Sequence, residues 1–425
     1  MEGVLIFLIF GILLMINVPI AISLGLSSIA VLIIMGVPLT LVSDIMYASI
    51  AKFTLLAIPF FITAGIVMEK AGISKRLIDF ANKLVGHLPA GLAICMVITS
   101  CFFAAISGSG PATVASLGVI LIPAMIKYNY PSGMSSALMS SAGSIGIVIP
   151  PSIPLVIYGV IAEISITDLF MAGIVPGILF GIGLITVSLI MCRKLKIAKM
   201  NRASLKEVLI SFKDAIWGLM TPVIILGGIY LGFFTPTESA AVAIVYGLII
   251  GIFIYKEINF KNFKEVLVES AKSSAVVLIV VAAASVFSWI IQTANIANQA
   301  GELIKSLSSN PILILLLINI LLLIVGCFVD AVSAYYIFVP ILLPIIKAIN
   351  YDPLVFGIIM TVNMAIGQFT PPVGVNLYVA CGISKISLKE ICLSIGPFII
   401  VSIAVLLILT YIPQIVYFLP NLLRR

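Results

Sequence analysis

Charge is scarce in this sequence. Only 9% of its 425 residues are charged and 62% are hydrophobic, whereas a soluble domain carries about a quarter charged residues. A soluble globular protein is excluded on that ground. Histidine occurs once, as His87, and the six cysteines (Cys95, Cys101, Cys192, Cys327, Cys381, Cys392) show no metal-ligand spacing. They lie in or beside apolar runs and read as small packing residues, not as a zinc site or a disulfide framework. No GxxxxGK[ST] motif is present, which leaves direct ATP drive unsupported. The alternating strands of about 10 residues that build a membrane β-barrel are missing too. No basic segment precedes "VLIFLIFGILLMINVPIAISLG", so this run reads as a membrane segment and not as a cleavable signal peptide. An intramembrane enzyme stays a distant alternative. A Ser–His dyad would have to use His87 in the polar link near "GHLPAG", and an aspartyl mechanism wants two intramembrane acids where only Asp330 qualifies.

What the chain does have is apolar length. Mean hydropathy is +1.31, and apolar runs repeatedly reach the roughly 20 residues that span a bilayer core. They fall near 3–36, 54–68, 89–106, 112–126, 133–162, 169–192, 215–234, 236–254, 275–293, 311–329, 335–346, 354–382 and 391–419. The fold class is therefore an all-α polytopic membrane protein. Two amphipathic stretches, 69–87 and 255–274, have the pattern of helices lying on the membrane surface. The most polar link, 193–215, divides the chain into halves.

The halves are related at an offset of 221 residues: Pro123 matches Pro344, Asn129 Asn350, Tyr130 Tyr351, Gly146 Gly367, Pro150 Pro371, Pro151 Pro372 and Pro176 Pro397. Proline, glycine and asparagine mark breaks, so these matches carry more than aliphatic coincidence. The expected organisation is a first repeat over 1–192, with a re-entrant hairpin at 89–126 and a broken helix at 133–162. A link and an extra transmembrane helix follow over 193–235. The second repeat, 236–425, holds a hairpin at 311–346 and a broken helix at 354–382. Starting the N-terminus in the cytoplasm places 18 of the 23 Lys and Arg residues on the cytoplasmic side, as the positive-inside rule requires. The C-terminus is then periplasmic. The extra helix makes the second repeat enter from the opposite face, so the repeats are inverted. The net charge of +7 thus follows from topology, and nucleic acid is not an expected partner; the lipid bilayer is.

Capping boxes explain two polar marks. In "TPTE" Thr235 is the expected N-cap, Pro236 the first helical residue and Glu238 the reciprocal carboxylate. "SLKE" at 387–390 reads the same way.

Other polar residues sit where lipid is expected. "SGSGPAT" (107–113) lies between apolar arms, and "GCFVDAVSA" (326–334) is its counterpart, with Ser109 matched to Asp330. Irregular backbone survives at membrane depth only inside protein or beside a water-filled cavity, so both read as hairpin tips at a polar site. An aspartate at the bilayer centre costs about 2.5–3.5 kcal/mol on insertion scales. Asp330 therefore either meets a cation or polar ligand, or its tip simply reaches water. In "SAGSIGIVIPPSIPLVIYG" (141–159) and "MAIGQFTPPVGVNLYVACG" (364–382) a glycine precedes a Pro-Pro pair by four residues. The prolines supply no N–H, so upstream carbonyls lose helix partners. Freed carbonyls suit a hard monovalent cation, and the half-helix that follows turns its positive end toward an anion. The plain alternative is two proline kinks without a ligand. A passive channel would not need inverted, paired breaks.

"SGSGPATVASLG", "IPPSIPLVIYG", "TPTESAAVAIVYG" and "TPPVGVNLYVACG" together resemble the large membrane subunit of tripartite ATP-independent periplasmic (TRAP) transporters, and the resemblance covers essentially the whole chain. It implies an elevator-type transporter of the bacterial inner membrane, not an enzyme. It implies sodium-coupled uptake of an organic anion, such as a C4-dicarboxylate or a sugar acid like sialate. No organic cofactor is implied. The implied partners are a periplasmic substrate-binding protein and a small four-helix membrane subunit, expected here as a separate polypeptide. Two sodium sites carry over: Ser107, Ser109, Gly146, Ile149 and Pro151 for the first, and Gly326, Gly367 and Thr370 for the second. Ser109 and Asp330 are placed at the substrate cavity, with Asn376 as a further candidate. Pro154 stands where a hydroxyl residue would meet a sugar acid, which counts against sialate. A self-sufficient sodium–dicarboxylate symporter of related architecture is the alternative.

Overall fold

The computed structural model describes residues 2–193, 195, 197, 200–296, 299, 301–302 and 310–423. Lys194, Lys196, Lys199, Lys305, Arg424 and Arg425, which enter the charge argument, lie outside the described residues. Every regular element among the described residues is helical. The chain begins with α1 (Glu2–Met15), α2 (Ile20–Ile34), α3 (Thr40–Ile50), α4 (Ala57–Lys70), α5 (Ile73–Val85), α6 (Gly91–Ser107), α7 (Gly110–Lys127), α8 (Ser132–Gly143), α9 (Ile153–Ala162) and α10 (Ile166–Cys192). Then come α11 (Leu205–Tyr230), α12 (Pro236–Ile249, ending in a π-helical turn, Ile250–Ile254) and α13 (Phe260–Thr293). The chain closes with α14 (Pro311–Gly326), α15 (Ala331–Ala348), α16 (Pro353–Gly367), α17 (Val375–Ser384), α18 (Leu388–Tyr411) and α19 (Gln414–Leu423). Eight helices among the described residues are long and apolar enough to cross a membrane. Large apolar side chains stand exposed on the outside, Leu393 at 79% and Ile400 at 71%. Such a surface is a liability in water and ordinary against lipid.

The helix boundaries follow local chemistry. The run 3–36 is two helices, because Asn17 adopts φ +64° and Pro19 follows it. Helix α5 is amphipathic as expected, burying Ile73, Leu77, Ile78 and Ala81 along one face. The stretch 255–274 differs from expectation. From Phe260 it belongs to the single 34-residue helix α13, which continues through the apolar run 275–293. Only the turn before it is separate, and that turn is held by Arg76. The guanidinium lies 3.7 Å from the centroid of the Tyr255 ring and 3.3 Å from Glu257 Oε1. "TPTE" forms the full capping box of α12. At "SLKE" Ser387 caps α18, but Glu390 turns away and accepts a 2.5 Å hydrogen bond from Ser132 Oγ.

Helices α6 and α7 form one hairpin, α14 and α15 the other, and both Pro-Pro pairs interrupt a helix: α8 and α9 flank Pro150–Pro151, α16 and α17 flank Pro371–Pro372. Each pair has a cis bond, at the two repeat-matched positions. The second halves, α9 and α17, have 10 residues each, which at 1.5 Å per residue is about 15 Å, half a bilayer core. The two units interlock. Helix α7 of the first hairpin lies against α17, and α15 of the second lies against α9. Serines make the close approach of α8 feasible. Ser135, Ser136, Ser140, Ser141 and Ser144 are all fully buried, and Ser140 and Ser141 return their hydroxyls to carbonyls four residues back. Helix α13 packs on α2, α3, α4 and α15, so it borders the second hairpin.

Candidate functional site

The first hairpin turns in three residues. Gly108 ends α6 at φ +60°, Ser109 is extended, and α7 starts with Gly110 and Pro111. The tip folds its own polar groups inward. Ser107 Oγ lies 2.9 Å from Thr113 Oγ1, and Thr113 Oγ1 donates to the Ser109 carbonyl at 2.8 Å. The tip then meets the break backbone to backbone. A Cβ on Gly108 would lie 2.8 Å from the Pro151 carbonyl oxygen, and one on Gly146 would lie 2.8 Å from the Ser109 carbonyl oxygen and 2.9 Å from Thr113 Oγ1. Ser107, Ser109, Gly146 and Pro151 are therefore brought together. Ile149 belongs to the same break, its side chain packed against Gly177 of α10.

Carbonyls are indeed released here. Pro150 and Pro151 have no N–H to donate to Gly146 and Ile147. Ile147 O is recaptured by Ser152 Oγ at 2.5 Å, and Ser152 also caps α9 by accepting from Leu155 N. Among the described residues no hydrogen bond is made to the carbonyls of Gly146, Ile149 or Pro151. Buried carbonyls are rarely left so.

The second tip is tighter. A Cβ on Gly367 would lie 2.4 Å from the Gly326 carbonyl oxygen and 2.6 Å from its Cα. Thr370 Oγ1 donates to Ile366 O at 2.6 Å, Thr370 N to Gly367 O at 3.2 Å, and Val373 N reaches across to Cys327 O at 3.3 Å. Gly326, Gly367 and Thr370 thus stand in one contact. Asp330 is the N-cap of α15. Its Oδ1 accepts from Val332 N (2.9 Å) and Ser333 N (3.1 Å), and its Oδ2 from Ser333 Oγ (2.6 Å). Part of the carboxylate's desolvation is met by its own helix.

Both tips, both breaks and two neighbouring helices enclose a cavity of about 650 Å³. Ser109 and Pro111 come from the first hairpin, Asp330 and Ala331 from the second, Ile153 and Pro154 from α9, and Gln368 from the second break. The opposite wall is aliphatic, from Pro19–Ile22 and Val276–Val280. Three helix N-termini, those of α7, α9 and α15, meet there, and each carries partial positive charge. Among the described residues, Asp330 is the only ionisable side chain in the lining. Asn376 is not in the lining. It is fully buried, with Nδ2 donating to Ser140 O at 3.0 Å. Thr113 and Gln368 escaped the sequence reading. Thr113 was detectable as the hydroxyl one helical turn beyond Ser109, and Gln368 as the polar residue inside "GQFTPP".

A family model described as "Tripartite ATP-independent periplasmic transporter, DctM component" matches residues 7–415. The "Isethionate TRAP transporter permease protein DctMQ" of Oleidesulfovibrio alaskensis is 45% identical over 411 residues, which cover 96% of this chain and 65% of that protein. The chain thus spans slightly less than two thirds of that relative's length. The "C4-dicarboxylate TRAP transporter large permease protein DctM" of Pseudomonas aeruginosa is 43% identical over 369 residues, covering 87% of this chain and 86% of that one. Among solved structures, the YdaH transporter of Alcanivorax borkumensis matches with a TM-score of 0.64 at 14% identity, over 87% of this chain and 86% of that one. MtrF of Neisseria gonorrhoeae matches at 0.58 and 13% identity, over 88% and 84%. At those identities the likeness is one of fold.

Proposed function

Because the chain belongs to the DctM component family of tripartite ATP-independent periplasmic transporters, we propose that it is the membrane permease of a secondary transporter for a small organic acid anion, driven inward by sodium. The observation that carries this reading is the cavity where both hairpin tips, both helix breaks and three helix N-termini meet. Its volume suits a small ligand, and its N-termini favour an anion.

Sodium is transported together with the anion. The first ion is assigned to Ser107, Ser109, Gly146, Ile149 and Pro151, with Thr113 beside them; the unpaired carbonyls of Gly146, Ile149 and Pro151 fit a hard cation. The second is assigned to Gly326, Gly367 and Thr370. Ser109 and Asp330 face the transported anion. Each sodium entering gains about 2.3 kcal/mol per 100 mV of membrane potential, before its concentration gradient is counted. The hairpins and broken helices form the moving domain, the remaining helices mainly the scaffold, and alternating access arises by an elevator-like slide. The N-terminus is cytoplasmic and the C-terminus periplasmic, in the inner membrane. A periplasmic binding protein delivers the anion, and a separate small four-helix membrane subunit braces the scaffold.

The test is uptake into proteoliposomes carrying this chain with its small subunit. Labelled anion is offered with and without the binding protein, under an inward sodium gradient or an equal potassium gradient. Uptake that requires both sodium and the binding protein is the expected result. Sodium-driven uptake without the binding protein would favour a self-sufficient symporter, and uptake indifferent to sodium would overturn the proposal.

A further inference from the structure

We propose that Gln368 recognises the anionic head of the transported molecule, and that Asn376 and Gly110 position it. This rests on the transport reading above. Among the described residues, Gln368 is the one carboxamide in the cavity lining.

Its orientation follows from its neighbours. Asn376 is fully buried. Its Nδ2 donates to the Ser140 carbonyl, which only accepts, so the nitrogen of that amide is fixed on this side. The same Nδ2 lies 3.5 Å from Gln368 Oε1, a long contact in which an oxygen is accommodated beside the donor and a second N–H is not. Main-chain pairing adds a second tether, with Asn376 N donating to Gln368 O at 2.9 Å. With Oε1 committed to Asn376, Nε2 remains as the donor. Among the described residues it makes no hydrogen bond, while its side chain lines the cavity. A neutral amide N–H is a suitable donor to a carboxylate or sulfonate oxygen, and it acts beside the N-termini of α7 and α9.

Gly110 is what makes room. A Cβ there would lie 2.0 Å from Gln368 Oε1 and 3.3 Å from Asn376 Nδ2. The glycine has no left-handed backbone requirement; it opens α7, and the space it leaves is filled by the Gln368 carboxamide. The second break therefore reaches across to the first hairpin tip at the ligand. This gives the two units one shared recognition point, which neither hairpin supplies alone.

The experiment measures sodium-driven uptake of labelled isethionate and labelled succinate by the reconstituted chain with its small subunit and binding protein. It compares wild type, Gln368→Leu, Gln368→Glu and Gly110→Ala. Losing one hydrogen bond to a charged head corresponds to roughly a tenfold to hundredfold rise in KM. That rise is expected for Gln368→Leu, with half-saturating sodium and the unfolding midpoint unchanged. Gln368→Glu, which sets a carboxylate against an anion, is expected to do worse. Gly110→Ala is expected to raise KM as well, although it alters no polar atom. A purely structural role for Gln368 would lower the folded amount and the maximal rate at constant KM. Wild-type KM in Gln368→Leu overturns the inference alone, with the transport reading intact. Uptake by the wild type that is indifferent to sodium overturns both.

Discussion

Gly367→Ala is the most demanding test of the second hairpin. The added Cβ would lie 2.4 Å from Gly326 O, 2.5 Å from its carbonyl carbon and 2.6 Å from its Cα. All three are backbone atoms, so no rotamer change relieves the clash. Restoring ordinary contact separates the tip from the break by about 1 Å, and overpacking of this kind costs about 1–3 kcal/mol. The same 1 Å far exceeds the roughly 0.2 Å latitude of a well-formed ion site. Gly382→Ala is the matched control, because nothing lies within 4 Å of its Cβ position in α17. It should be harmless or slightly stabilising, by about 0.5–1 kcal/mol. Thermal unfolding of the purified proteins in sodium and in potassium reads both effects, and reconstituted uptake reads the third. Gly367→Ala should unfold at a lower temperature, lose its stabilisation by sodium and lose uptake. If the two variants behave alike, the tip contact does not have the role assigned to it.

Further outcomes concern the caps and a buried polar pair. Asp330→Asn keeps an oxygen for the cap of α15, so membrane insertion and unfolding should stay near wild type while uptake falls strongly; Asp330→Ala should cost a further ~1 kcal/mol or so of stability from the lost cap, seen in the same melts. Asn319→Leu removes the acceptor of Asn363 Nδ2 (2.9 Å) and the donor to Thr410 Oγ1 (3.0 Å). It should destabilise by about 1–3 kcal/mol, and combining it with Thr410→Val should be less than additive in a double-mutant cycle. Thr235→Ala breaks the capping box of α12 and should lower stability by about 1 kcal/mol, while Glu390→Gln, outside any capping box, should leave the start of α18 intact by amide exchange.

Much of this was legible because proline and glycine act locally. The Pro-Pro pairs, the tips at 107–113 and 326–334 and the "TPTE" cap all depend on which residues lack an N–H or a Cβ, and the sequence prints that directly. Other features depend on partners far along the chain. Ser-Leu-Lys-Glu occurs at 204–207 and at 387–390. The first copy closes a full capping box; in the second, Ser132 of another helix takes the glutamate. Residues 255–274 have a surface-helix pattern, yet from Phe260 they belong to α13, because nothing between Phe260 and Thr293 interrupts a helix. Asn376 sits on the half-helix after the second break, as a site residue would, but Ser140 of α8 draws its amide inward. Gln368 shows in the sequence only as a polar residue inside "GQFTPP", and its place in the cavity depends on Gly110, 258 residues earlier, which leaves space for it.

The central claim is that the cavity between the two tips is a transport site that opens to each side in turn. Pro154 lines that cavity from the start of α9. In a chain whose six cysteines have been replaced, Pro154→Cys can be probed with a membrane-impermeant thiol reagent added to either side of oriented vesicles. The account predicts labelling from both sides, with sodium and substrate together changing the ratio of the two rates. Labelling from one side only, under every combination of sodium and substrate in vesicles that still transport, would contradict it.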